Sequence, residues 1–439
     1  MFEVFFPIAI MWLMYIGVGV LAFQFLQTRE KIKVVSESPA YIWSVSFLIG
    51  AGIVTLGEFV LSLIKVPFWI SLCGFGAITL YSLFLYRHTL CSPTRKPQTI
   101  FTTLFWVGTA IMMFFFFTRS MSRVTYTWDS IAFWTPKMFA LWSDQTVHLE
   151  GLRNFNHPEY PLLLPLTGAN AFTVVGEYNE VSAKAVIFGF SLALFLLIGN
   201  ALLTQKSSKL KKVFWMVLFL SIFIVREHVA GEYVGTADIF VGTYFVAGTI
   251  ALLKKHRLIA LVLWLFAAWS KSEGLVFAGV TTFLLFLSYP SLRKWIVLSF
   301  AAIAVPWQLF TKLSGLGSQY FAFGSLYARP WIEYAVYSVH AFREEFRNLQ
   351  KWNLVFFFFL AQSFATIKRI AQHKELRIIY AGLTVQLLSY MVIFTIAPEE
   401  QASFIAAAIS RLTLHLAPTA LVITAYLFSQ EFHAKHQKT

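Results

Sequence analysis

The sequence predicts an all-α fold, a polytopic bundle of transmembrane helices. Three observations predict it. The chain is 58% hydrophobic and only 13% charged, where a soluble domain is about 45–50% apolar and about 25% charged. Its mean hydropathy is +0.67. Apolar runs close to the ~20 residues that cross a bilayer recur along the chain.

Taken in order, thirteen apolar stretches are expected to span: roughly 4–26, 41–64, 67–86, 99–118, 181–204, 212–226, 237–253, 257–270, 274–289, 295–312, 352–367, 376–396 and 411–429. The first 24 residues have no basic leading segment and no small-residue cleavage site, so they read as a retained span rather than a removed signal. The formal charge of +14 does not indicate nucleic acid, because most of the basic residues sit in short connectors. Those connectors are REKIK (29–33), RHTLCSPTRK (87–96), KSSKLKK (206–212), KKHR (254–257), LRK (292–294), KRIAQHKELR (368–377) and HAKHQK (433–438). They fall at alternate loops, which puts them in the cytoplasm and the first residue outside. Cys73 and Cys91 have no disulfide or zinc-type spacing.

This topology leaves three longer segments facing outward, at 119–180, 313–351 and 397–410. The first is about sixty residues, too long for a passive connector. It carries Trp128, Trp134 and Trp142, rings expected at headgroup depth, and the proline-rich HPEYPLLLP (157–165). In the second, WIEYAVYSVHAFREEFRNLQ (331–350) sets Ile332, Val336, Val339 and Phe346 near one face, away from Glu333, Arg343 and Arg347. Such helices lie along a bilayer surface.

Charged residues beside apolar runs are costly and therefore informative. Asp129 follows span four, with Lys137 two turns beyond it. Glu227, His228 and Glu232 lie between spans six and seven, and Asp238 opens span seven. Lys271 and Glu273 form the turn between spans eight and nine. Arg411 opens span thirteen, with His415 one helical turn further in. All of these fall on the outer side, and Glu58 belongs near the outer end of span two.

Each has a plain structural reading. Asp129 could cap an interfacial helix, Asp238 could cap span seven, Lys271 and Glu273 could neutralise one another, Arg411 could snorkel to headgroups, and Glu58 could be paired. His157 and Glu159 read as part of a loop turn, because the prolines around them forbid helical ligand spacing. As a set, the residues suit an anionic, membrane-borne substrate. An arginine fork holds phosphate, and a nearby carboxylate can take a proton from a hydroxyl.

Four stretches carry a resemblance: WDSIAFWTPKMFAL (128–141), NHPEYPLLLPL (156–166), EYVGTADIFVGTYFVAG (232–248), and the pair KSEGLVF (271–277) and SRLTLHLAP (410–418). The chain resembles the GT-C-fold integral membrane glycosyltransferases, particularly a bacterial, glycosyltransferase family 39-like branch similar to protein O-mannosyltransferases and lipid A aminoarabinose transferases. The resemblance implies a GT-C-like bundle divided into N-terminal spans (1–118), an outer catalytic loop with interfacial helices (119–180), a transmembrane core (181–312), an outer amphipathic segment (313–351), and C-terminal spans with a cytoplasmic tail (352–439). It implies an inverting transfer of a hexosyl or pentosyl group from a polyprenyl-phosphate donor to a hydroxyl on a glycan, lipid or protein, outside a bacterial plasma membrane. Asp129 would be the base. Asp238 or Glu227 would be a second acid, and Lys271 and Arg411 would contact the phosphate. His157 and Tyr160 would cover the cavity, with Lys137, Glu273 and His415 completing the substrate-binding set. Familiar eukaryotic members carry two adjacent acids in this loop. Here Ser130 follows Asp129, so a divalent cation is compatible with the site but has no paired-acid motif. Two other classes compete: a transporter or flippase of lipid-linked sugars, which should show inverted repeats and broken helices, and an O-antigen polymerase or ligase.

Overall fold

The structure, a computed structural model, describes residues 2–30, 37–90, 99–125, 127–317, 330–396 and 400–436. Cys91, much of the basic tracts at 29–33 and 87–96, parts of the outer segments 313–351 and 397–410, and the end of the tail lie outside the described residues. Helices and turns account for the described chain, without strands.

Four long helices come first: α1 (Phe2–Arg29), α2 (Pro39–Leu63), α3 (Phe68–Leu90) and α4 (Ile100–Ser122). Ser38 starts α2 by accepting from the Tyr41 amide, with Pro39 at the first helical position, where its missing N–H costs nothing. α1 and α2 cross backbone to backbone. A Cβ built on Gly19 would stand 1.7 Å from Ser46 O, and one on Gly50 1.7 Å from Tyr15 O. Small residues permit this approach, and dispersion contacts rather than hydrophobic driving force hold such pairs in lipid.

The long loop after α4 is folded rather than draped. A π-turn over Ser130–Trp134 leads into α5 (Thr135–Asp144) and a short α6 (Leu149–Arg153), and then α7 (Leu163–Val175) dives into the bundle. Residues 163–172 of α7 are all buried. An inserted apolar helix was not expected from the sequence. Its prolines, Pro161 and Pro165, hid it: Pro165 lies in the first turn, where it is tolerated.

α8 (Glu180–Thr204) is followed by α9 (Lys209–Leu220) and α10 (Phe223–Ala230), which meet at a 62° break. α11 (Asp238–Leu253) and α12 (Arg257–Ser270) form the interior hairpin. α13 (Gly274–Ser288) turns by 114° at Pro290 into α14 (Arg293–Ile303), followed by α15 (Val305–Leu313). The amphipathic α16 (Trp331–Arg347) is present as expected, with Ile332, Val336 and Val339 exposed. After it come α17 (Leu349–Trp352), α18 (Val355–Ala365), α19 (Ile367–Gln372), α20 (Lys374–Ile396) and α21 (Gln401–His436).

Helix is found at each of the thirteen expected positions, but the lengths differ. Among the described residues, seven helices are long and apolar enough to cross a membrane alone, and up to nine spans result if each bent pair counts as one. α11 and α12, at 16 and 14 residues, are short because they are interior: nearly every residue of both is buried by protein. The broken helices that the sequence did not reveal are the α9–α10 and α13–α14 pairs.

Polar contacts gather at the two ends of the interior hairpin. At one end, connectors from the basic tracts touch each other. Lys254 Nζ pairs with Glu37 at 2.7 Å, Tyr41 Oη meets His256 Nδ1 at 3.0 Å, and Glu30 accepts from the Leu258 amide at 2.5 Å. Tyr289 Oη donates to Glu375 at 3.0 Å nearby. At the other end lie Asp238 and Lys271.

Candidate functional site

Asp238, the first residue of α11, is fully buried and caps nothing. Its carboxylate gathers three donors instead. Lys271 Nζ reaches Oδ1 at 2.9 Å, His415 Nε2 reaches Oδ1 at 3.2 Å, and Arg411 Nε reaches Oδ2 at 3.0 Å. Arg411 continues through Nη2 to Asp129 Oδ2, and Lys271 continues to Glu273 Oε1 at 3.0 Å. Asp129, Arg411, Asp238, Lys271 and Glu273 therefore form one chain of alternating charge, with three carboxylates to two cations.

Local sequence builds this cluster. One turn beyond Asp238 stands Gly242, where a Cβ would sit 3.1 Å from Leu414 O, so α21 can close against α11 and bring Arg411 and His415 onto the carboxylate. Ser270 ends α12, and the extended Lys271 points its side chain back to Asp238. Tyr390 of α20 meets His415 Nδ1 at 2.6 Å. With the Tyr390 hydroxyl donating, Nδ1 accepts and Nε2–H faces Asp238, which fixes the neutral tautomer.

The aromatic turn after α6 forms the opposite wall. His157 has φ +52°, and Tyr160 stacks between His157 (4.9 Å, 17°) and Trp134 (5.7 Å, 19°). Lys137 Nζ donates to His157 O at 2.5 Å, and Trp307 Nε1 donates to Glu159 O at 2.9 Å. Those bonds hold the left-handed backbone in place. Burial pushes the Lys137 ammonium down to about 8, against the pull of the Glu159 carboxylate.

Between these walls is a cavity of about 410 Å³. Trp128, Asp129, His157, Tyr160, Lys271, Glu273 and Arg411 line it, and Val276, Ile393, Phe404 and Leu412 supply an apolar side. Of the residues singled out in the sequence, seven line the cavity: Trp128, Asp129, His157, Tyr160, Lys271, Glu273 and Arg411. Asp238 and His415 lie directly behind them. Lys137 is buried beneath the His157 turn. Glu227 is elsewhere, accepting from the Glu232 amide at 3.0 Å and shaping the turn before α11. His228 stacks on Tyr233 in that same turn.

Two expectations are corrected by burial. Trp134 does not present its ring to headgroups; it is fully buried against Tyr160, and only Trp128 of the three is strongly exposed. Arg411 does not snorkel, because both carboxylates hold it. Among the described residues, no group of three or more His, Cys, Asp or Glu side chains is placed to hold a metal ion. Tyr390 carried no sequence signal, and Asn156, which also lines the cavity, stood only as the first residue of NHPEYPLLLPL (156–166) with no role of its own.

No protein-family model, curated protein or solved structure matches this chain.

Proposed function

We propose that this integral membrane protein is an inverting glycosyltransferase that moves a sugar from a polyprenyl-phosphate donor to a hydroxyl acceptor on the outer face of a bacterial plasma membrane. The observation that carries this reading is the joining of Asp129, Arg411 and Lys271 in one cavity with an apolar side. Carboxylate, cations and greasy wall are the three things such a donor and acceptor need together.

In the proposed reaction the acceptor O–H attacks the anomeric carbon while the bond from that carbon to the phosphate oxygen breaks. The phosphate leaves with the electron pair, and Asp129 takes the acceptor proton. Arg411 spends Nε and Nη2 on Asp238 and Asp129, leaving further guanidinium N–H groups for a phosphate. Asp238 is too enclosed by Lys271, Arg411 and His415 to take a proton itself; it positions both cations. A phosphate that draws Arg411 away would free Asp129 as a base, so donor binding and base activation are coupled.

The test is transfer of label from a polyprenyl-phosphate sugar in membranes holding equal amounts of wild type and Asp129→Asn. Transfer should fall by at least ~100-fold, the scale of general-base catalysis. Unchanged transfer removes Asp129 from the mechanism. The transporter reading is favoured by the α9–α10 and α13–α14 breaks, since broken helices are its usual device. Movement of labelled lipid-linked sugar across proteoliposomes with no transferred product would select it.

A further inference from the structure

Away from the cavity, Glu58 of α2 is fully buried inside the bundle. Its Oε2 accepts from Asn170 Nδ2 of α7 at 2.8 Å. Among the described residues no lysine, arginine or histidine is paired with it. Tyr15 of α1 is the titratable side chain facing it, with Thr167 of α7 alongside, the latter already donating to Leu163 O at 2.7 Å. Two buried polar atoms here close no hydrogen bond, Glu58 Oε1 and Asn170 Oδ1, while the Tyr15 hydroxyl lies within reach of Asn170 and Thr167.

An ionised carboxylate cannot account for this arrangement. It would leave a desolvated charge facing no cation, with one amide N–H as its donor, which costs several kcal/mol, and it would leave both Oε1 and Asn170 Oδ1 without a hydrogen. A hydrogen on Oε1 removes both problems. The acid then donates through Oε1–H to Asn170 Oδ1 while Oε2 accepts from Nδ2, a closed acid–amide pair in which each group gives one hydrogen bond and takes one.

We propose that Glu58 and Asn170 form a proton-holding site inside the bundle, the ligand being a single proton kept on Glu58 Oε1, and that this pair latches α7 onto α2. α7 directly follows the His157–Tyr160 turn, so the latch also seats one wall of the cavity. The site does not depend on the transferase reading.

The experiment is infrared difference spectroscopy on the full chain in lipid nanodiscs at neutral pH, wild type against Glu58→Gln. The wild type should show the carbonyl stretch of a protonated carboxyl group, shifting in D₂O and absent from the variant. Glu58→Gln should unfold at the wild-type temperature, because an amide–amide pair keeps both hydrogen bonds. Asn170→Leu should move the carbonyl band, since it removes the acid's acceptor. A carboxylate band in place of the acid band overturns the proposal, as does an Asn170→Leu spectrum with the band unmoved. Stabilisation by sodium over choline chloride at equal ionic strength, lost in Glu58→Gln, would also overturn it, by giving the neutralising role to an alkali ion.

Discussion

Replacing Asp238 by asparagine is the most severe single-atom change the site admits. The carboxylate is fully buried and holds Lys271, Arg411 and His415 at 2.9, 3.0 and 3.2 Å. An amide keeps one acceptor but turns an N–H₂ toward a cation, leaving buried charge uncompensated. Removing one partner of a buried ion pair costs ~3–5 kcal/mol. Asp129→Asn is the same chemical change at a carboxylate whose side chain is 16% exposed and has one cationic partner, so water can take over part of its role and the loss should stay below about 2 kcal/mol. The assay is equilibrium unfolding in bicelles, with both variants and the double variant Asp238→Asn/Lys271→Met. The double variant removes one stranded cation and should recover about 0.5–3 kcal/mol relative to additivity. Equal losses for the two asparagine variants, or strict additivity in the double, would refute the claim that Asp238 holds the cluster together.

Two further outcomes are expected. Burial lowers Lys137 from 10.5 to about 8. Between those values the unfolded chain therefore holds a proton that the folded chain does not. Stability should rise with pH across that window by on the order of 3 kcal/mol and be flat with respect to this group below it; thermal unfolding of wild type beside Lys137→Met, which should lose that rise, checks the sign. Gly50→Ala forces a Cβ to within 1.7 Å of Tyr15 O and should cost about 3 kcal/mol, the upper end for overpacking. Gly74→Ala, which meets nothing within 4 Å, should stay within about 0.5 kcal/mol, and a shared unfolding assay compares the two.

The membrane-helical class was legible because burying some twenty apolar residues leaves a compositional trace that folding does not alter. The charge cluster was legible for the opposite reason. Asp129, Asp238, Lys271, Glu273 and Arg411 are each anomalous against an apolar background, so each announced itself before its partners were known. What stayed hidden depended on contacts between distant segments. α7 is an apolar helix led in by prolines, which resemble loop punctuation. Asn170 is a modest polar residue whose meaning appears only beside Glu58, more than a hundred positions away. Glu227 has the sequence signature of any carboxylate near a span end, the same whether it faces a cavity or closes a turn, and here it accepts from the Glu232 amide in the turn before α11. Hydropathy alone does not set the span count, since α11 and α12 are short apolar helices buried almost wholly by protein.

The brevity of that interior hairpin sets a depth. Fourteen residues of α12 rise about 21 Å, well short of a hydrocarbon layer ~30 Å thick. Since both its ends carry polar clusters, water or headgroups must dip toward at least one of them. If the recessed end is the one that carries Lys271, a molecule in the cavity meets that ammonium in a sunken basin, bordered by acyl tails rather than open solvent. In such a basin, Coulombic attraction is felt at greater strength than at a protein surface.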